Sequence, residues 1–243
     1  MRSLAVAFGF LTRLPVPRVE WEPGDLGRAR AWFPLVGIVV AGAGTLVRWT
    51  VALALPDIVA VVAAVVAMVV VTGAFHEDGL ADSADGLWGG SDPERRLEIM
   101  RDSRLGSYGT VALVGSLALR MAILAPLDVV EFLGVAMIGH TLGRFVTLPL
   151  SAALVPVPDS SAALLEERTG PVGWAIAVTT VLVVLVGVLG PGAWAPIVVA
   201  TPTALGCAVL IRRRLGGVSG DVLGASNQVV HIVSMGAAAA VIR

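Results

Sequence analysis

The chain has 243 residues, of which 56% are hydrophobic and 14% charged, and its mean hydropathy is +0.87. Its 18 acidic and 17 basic residues cannot clothe a soluble domain of this length, which excludes a water-soluble enzyme and makes lipid the main solvent. A formal net charge of −1 excludes bulk nucleic-acid binding, which needs a basic surface, and the absence of lysine excludes Schiff-base chemistry.

In chain order, residues 1–17 open like a secretory leader, with Arg2 before a short apolar stretch, but carry no small-residue cleavage site. They predict a retained interfacial helix ended by Pro15 and Pro17. Residues 31–47 are uncharged and run on past Arg48 to Pro56, and 58–75 are an 18-residue apolar run, so the two predict a helical hairpin through Pro56-Asp57. The polar stretch 76–108 holds eight of the acids and four arginines. Residues 110–127 and 129–155 predict a second hairpin, each arm carrying one interior arginine, Arg120 and Arg144. The 41 uncharged residues 171–211 fit two spans about the turn Gly190-Pro191-Gly192, and about 224–242 give one more crossing. Cys207 lies in the apolar run and reads as a small core residue, since one thiol cannot form an internal disulfide.

The fold class expected is therefore all-α: a polytopic membrane bundle of about six to seven spanning helices, one catalytic domain over 1–243, with the N-terminus inside. Alternating the segments from that start puts Arg2, Arg13, Arg18, Arg28 and Arg30, the acidic segment 76–108, the loop 156–170 and Arg212-Arg213-Arg214 on one face. By the positive-inside rule that face is cytoplasmic, and so is the chemistry.

The sequence from His76 reads HEDGLADSADGLWGG, with Asp78, Asp82 and Asp85 at spacings of four and three. On a helix all three share a face, with Glu77 beside it. Each pair of carboxylates ~6 Å apart repels by about 3 kcal/mol at an effective dielectric of ~20, and an aspartate facing lipid at mid-bilayer costs ~3 kcal/mol. The trio therefore belongs at a membrane-water boundary with a compensating cation. An all-carboxylate set suits Mg²⁺, with Mn²⁺ as the alternative, and does not suit zinc. The competing reading is a solvated acidic helix start, favoured by the helix dipole.

Downstream, Asp92 and Pro93 predict a helix start whose Arg95, Arg96, Glu98 and Arg101 form its wet side. Asp102, Ser103 and Arg104 precede a Gly-rich turn, where an arginine suits bidentate phosphate binding, although a structural role for Arg104 fits equally well. The loop 212–224, RRRLGGVSGDVLG, places Gly220 and Asp221 after a basic run, but it is not a P-loop because it lacks the Lys-Ser/Thr ending. His140 and Arg144, four apart, could pair with acids or ligand inside the membrane. Arg48, Arg120 and His231 could equally snorkel or satisfy backbone groups.

Four blocks together resemble the cobalamin synthase (adenosylcobinamide-GDP ribazoletransferase) family: FLTRLPVP from Phe10, WFPLVG from Trp32, His76 to Gly86 with RDSRLG from Arg101, and GGVSGDVLGA from Gly216. The resemblance implies a late vitamin B12 step in which adenosylcobinamide-GDP is joined to α-ribazole or its 5′-phosphate, the ribazole 3′-hydroxyl attacking phosphorus and GMP leaving, with Mg²⁺ required. It implies Asp78, Asp82 and Asp85 as metal ligands, and Glu77 or one of those aspartates as proton acceptor. Arg104 and Arg13 would steady phosphate oxygens, with Asp102 orienting Arg104 or joining the metal shell. His76, Ser103, Gly220 and Asp221 would line the substrate. It further implies the inner cell membrane, a homo-oligomer, and association with other late-pathway enzymes. Relatives are expected to carry an acid about ten residues after Asp221, where this chain has His231. Two rival classes share part of this pattern. A CDP-alcohol phosphotransferase shares only the Asp-Gly start of its motif with this chain, and a cation transporter would need the inverted repeat or broken midplane helices that the sequence does not display.

Overall fold

The computed structural model describes residues 1–17, 19–158 and 166–243, so Arg18 and residues 159–165 of the expected 156–170 loop lie outside the described residues. Helix α1 (Arg2–Leu11) is the short N-terminal helix. A brief helix α2 (Asp25–Ala29) and a 3-10 turn (Arg30–Trp32) lead into α3 (Phe33–Ala52), which has Pro34 in its first turn. Then come α4 (Asp57–Thr72), α5 (Phe75–Gly89), α6 (Pro93–Met100), α7 (Ser107–Leu124) and α8 (Val129–Ala153). Helices α9 (Pro171–Leu189) and α10 (Trp194–Leu215) flank a 3-10 turn at Gly190–Ala193, and α11 (Gly220–Ile242) ends the fold. No strand is found among the described residues beyond one parallel bridge, Pro156 to Val218.

Five helical stretches are long and apolar enough to cross a bilayer, or six if the bent pair α4–α5 counts as one span. One of the five, Pro171–Leu215, is 45 residues long, more than twice the ~20 residues of a single crossing. Its arms α9 and α10 line one apolar cavity together with α8, so the chain reverses between them, as the Gly-Pro-Gly turn predicts. Outward-facing Val66, Val70, Val111, Val114, Val183, Val186 and Leu205 are exposed, as a lipid-facing surface requires.

Helix α8 is the axis of the bundle, packed between α3 and α11. Its start is a capping box: the Asp128 carboxylate accepts from the Val130 and Glu131 backbone N–H groups at 2.8 and 2.9 Å, and Glu131 accepts from the Asp128 N–H at 3.0 Å. Glycines set its close contacts. A Cβ at Gly37 of α3 would sit 2.6 Å from the His140 carbonyl oxygen, and one at Gly143 would sit 2.8 Å from the Asn227 carbonyl oxygen on α11. Gly139, a turn earlier, packs on His231, so the Gly139-x-x-x-Gly143 pair is the small-residue seam that membrane helices use to approach closely. At the turns of both hairpins, buried Arg48 bonds Asp57 at 2.8 Å and the carbonyls of Leu127 and Asp128 at 2.6 and 3.0 Å, tying the α3–α4 and α7–α8 ends together.

Two boundaries and one helix face differ from expectation, each for a local reason. The apolar run 58–75 is not one helix: Gly73 (φ +65°) and Ala74 (φ 58°) are both left-handed, and the axis turns by 88° into α5. The loop 212–224 shrinks to 216–219, because α10 continues through the three arginines to a left-handed Gly216 and the Ser219 side chain caps α11. Gly220 and Asp221 are therefore the first turn of a helix. Asp92 does cap α6, accepting from the Arg95 N–H at 2.9 Å, but Arg96 is not on the wet side. It is buried and donates to the carbonyls of Arg214 and Ser91 at 2.8 and 3.0 Å, fastening α6 to the end of α10.

Candidate active site

The 88° turn swings α5 away from the line of α4 and against α7 and α11. On α5, Asp78 is exposed, Asp82 half-buried and Asp85 buried. The first turn of α11 lies directly against this helix: a Cβ at Gly79 would stand 2.8 Å from the Asp221 carbonyl oxygen and 3.2 Å from its Cα, and a Cβ at Gly224 would stand 3.5 Å from the Gly79 Cα. Only glycine permits that crossing. It brings Asp221 to the aspartates of α5. Burial, and then the charges of Asp78, Asp221 and Asp85, push the Asp82 carboxyl up to about 7. Four carboxylates thus share one neighbourhood with an excess of negative charge. No three of the described His, Cys, Asp or Glu side chains converge into a ready-made ligand shell, however.

Asp85 faces its neighbours but is also committed elsewhere. Its two oxygens accept from the Gly106 and Gly109 backbone N–H groups at 2.8 and 2.9 Å, so it caps α7 from another helix. That bond ties the 102–106 loop to α5. On the loop, Arg104 pairs with Asp102 through two nitrogens, at 3.1 and 2.6 Å, and the guanidinium holds the Asp102 carboxyl down at about 2. Arg104 is 87% exposed, so its outer face is free to meet an anion. A cavity of about 330 Å³ is lined by Asp85, Arg95, Asp102, Arg104 and Tyr108, joining this loop to the acidic helix. Ser103 lies exposed on the same loop. Arg13, whose N–H donates to the Val71 carbonyl at 2.7 Å, lays its side chain over Gly73 at the entrance to α5.

Glu77 and His76 turn the other way. Both are buried, and Glu77 bonds Arg120 of α7 at 2.7 Å inside the bundle. The sequence placed Glu77 beside the acidic face; the fold points it inward, because the face of α5 that carries it packs on α7. Around it gather His140, bonded to Arg144 at 2.9 Å, and His231, whose ring centre is 4.2 Å from that of His140. Asn227 and Gln228 of α11 are buried nearby in the sequence of that helix and were not singled out from the sequence, since one amide pair in an apolar run carries no spacing signal. The Glu77–Arg120 pair yields a stability prediction. Arg120→Met should lower stability by about 3 kcal/mol because it strands a buried carboxylate, and Glu77→Gln by a similar amount. The double variant should recover much of the loss, as a double-mutant cycle of thermal midpoints in detergent would show.

Fold and site together define a polytopic helical membrane protein with a cluster of aspartates where α5 meets the first turn of α11. The family model for cobalamin-5-phosphate synthase matches residues 3–239, and the chain belongs to that family. Proteins named adenosylcobinamide-GDP ribazoletransferase from Shewanella amazonensis, Shewanella baltica and Shewanella oneidensis are 36%, 37% and 37% identical to it, over 94% of this chain and 90–91% of theirs. No solved structure matches.

Proposed function

We propose that the protein is an adenosylcobinamide-GDP ribazoletransferase that joins a GDP-activated cobinamide to α-ribazole or its 5′-phosphate and releases GMP. The observation that carries the reading is the meeting of Asp78, Asp82, Asp85 and Asp221 where α5 crosses α11, with Asp82 held near 7 by burial and by its neighbours' charges. Such a group is unstable without a cation, and the substrate is a pyrophosphate that needs one.

The donor set is all oxygen and fits Mg²⁺, which Asp78, Asp82 and Asp221 would hold, Asp85 contributing the oxygen lone pairs its two N–H bonds leave over. When bound, the ion supplies charge neutralisation for the departing GMP. Arg104, steadied by Asp102, grips phosphate oxygens from the opposite side of the 330 Å³ cavity. The incoming hydroxyl gives its proton to an aspartate of this face, and Glu77, turned toward Arg120, serves to position α5 against α7. The related alternatives are not favoured: neither a CDP-alcohol phosphotransferase nor a cation transporter accounts for a match over nearly the whole chain.

The test is direct. Purified protein mixed with Mg²⁺, adenosylcobinamide-GDP and α-ribazole 5′-phosphate should release GMP; no GMP, with the protein folded, removes the reading. The site is proposed to face the cytoplasm of the inner membrane, on the arginine-rich side. An impermeant maleimide should therefore label Ser103→Cys, in a Cys207→Ala background, in inverted vesicles and not in intact spheroplasts. The reverse pattern would place the chemistry outside the cell.

A further inference from the structure

The apolar cavity between α8, α9 and α10 has a volume of about 410 Å³, and none of the aspartates lines it. Every lining side chain is apolar except Thr201. It exists because a hairpin is splayed. Helix α9 packs on α8 and on the turn Arg30–Trp32, α10 packs on α11, and the two pack scarcely at all on each other although only the turn Gly190–Ala193 joins them. Leu182 and Leu205, both in the lining, remain exposed, so the gap opens sideways toward lipid. Packed interiors rarely keep a void of this size, and an empty one forfeits the dispersion contacts of its walls. Water finds too few polar partners here, which leaves an apolar chain as the occupant the walls favour.

The cavity also has a polar end. Its α10 wall is the stripe Ile197, Thr201, Leu205 and Ala208, and the next position on that stripe, four residues on, is Arg212. Arg212 is exposed and forms no ion pair among the described residues. Arg213 sits about 100° further round the helix, off the stripe. On α9 the lining residues Val178 and Leu182 lead back to Trp174, whose ring meets that of Phe145 in the cavity wall edge-on at 6.2 Å. Trp174 and Arg212 lie at the same end of the hairpin, remote from its turn, and both residue types favour the headgroup level of a bilayer. At ~1.5 Å per residue the wall from Ile197 to Ala208 rises ~16 Å, about half of a ~30 Å hydrocarbon core and so the depth of one leaflet.

We propose that this cavity is a binding site for one anionic phospholipid, with an acyl chain between α9 and α10 and the phosphate on Arg212 beside Trp174. Charge complementarity selects the headgroup. A zwitterionic lipid offers the same chain but brings its own cation to compete for the phosphate, whereas an anionic one leaves the guanidinium its full attraction. The lipid braces the hairpin where its own arms leave it open. The site is independent of the reaction carried out at the aspartates.

Native mass spectrometry of the full-length protein, stripped of lipid in detergent, tests this without any turnover. The probes are dioleoyl phosphatidylglycerol and dioleoyl phosphatidylcholine at equal concentration, which differ only in the headgroup. The wild type should retain one phosphatidylglycerol in preference to phosphatidylcholine by at least about fivefold. In Arg212→Gln the preference should fall to within about twofold, while Arg213→Gln, of equal charge change but off the stripe, should keep it. Ala204→Phe, which fills the cavity, should lose both lipids; Arg212→Gln, at an exposed position, carries the test if Ala204→Phe does not fold. Equal retention of the two lipids by the wild type overturns the proposal, as does a preference that survives Arg212→Gln. An equal loss in Arg213→Gln also overturns it, since that is diffuse attraction to a basic patch. So does a lipid-free dimer that Ala204→Phe dissociates, which would give the cavity to a second copy of the chain.

Discussion

Asp82→Asn is expected to abolish turnover, by a factor of about 10³ or more, while making the metal-free protein more stable. The two effects share a cause. Half-burial, and then the charges of Asp78, Asp221 and Asp85, raise the Asp82 carboxyl from 3.8 to about 7 in the folded state. A carboxyl whose folded value lies above its unfolded one binds a proton in the native protein that the unfolded chain releases, so stability falls as pH rises from about 4 through about 7. Asparagine removes that loss. After allowance for solvent screening, the gain at pH 8 without metal should be about 1 to 2 kcal/mol, shrinking toward zero near pH 4. Mg²⁺ should then raise the thermal midpoint of the wild type and leave that of Asp82→Asn nearly unmoved. Full turnover in the variant would remove the metal model.

Gly79→Ala is expected to lower turnover by about 10- to 100-fold although it adds only a methyl group. The new Cβ would lie 2.8 Å from the Asp221 carbonyl oxygen and 3.2 Å from its Cα, and backbone atoms cannot rotate aside. The first turn of α11 must move off α5, carrying Asp221 away from Asp78 and Asp82, and displacements near 1 Å at a reacting centre cost on the order of 10² in rate. Gly79→Val should go further and destabilise the fold by about 1 to 3 kcal/mol through overpacking. Gly42 of α3 has nothing within 4 Å of an added Cβ, so Gly42→Ala is the control and should behave as wild type. If Gly79→Ala matches that control in steady-state GMP release, the α5–α11 crossing does not set the site geometry.

Much of this was legible in one dimension. The four-and-three spacing of Asp78, Asp82 and Asp85 specified a shared helix face, and the structure has them on α5. The glycine and proline punctuation at 190–192 specified a reversal between two apolar helices, and Asp92-Pro93 specified a helix start; both are present. The less legible points were those where one helix meets another. Nothing in the spacing says that Asp85 caps α7 through Gly106 and Gly109, or that Arg96 reaches the end of α10. The break at Gly73-Ala74 was hidden inside an unbroken apolar run, because hydropathy records solvent preference and is blind to a pair of left-handed residues.

Residence in a membrane, the approximate spans and the acidic helix face follow from composition and local periodicity, because lipid solvation and the 3.6-residue turn act on each segment separately. Tertiary packing alone decided that Asp221 completes the acidic group and that Glu77 turns inward to Arg120. Those outcomes depend on which glycine of one helix admits the backbone of another, as Gly79 admits Asp221 and Gly143 admits Asn227. Helix-helix contact of that kind is a property of paired surfaces, and no single segment contains it.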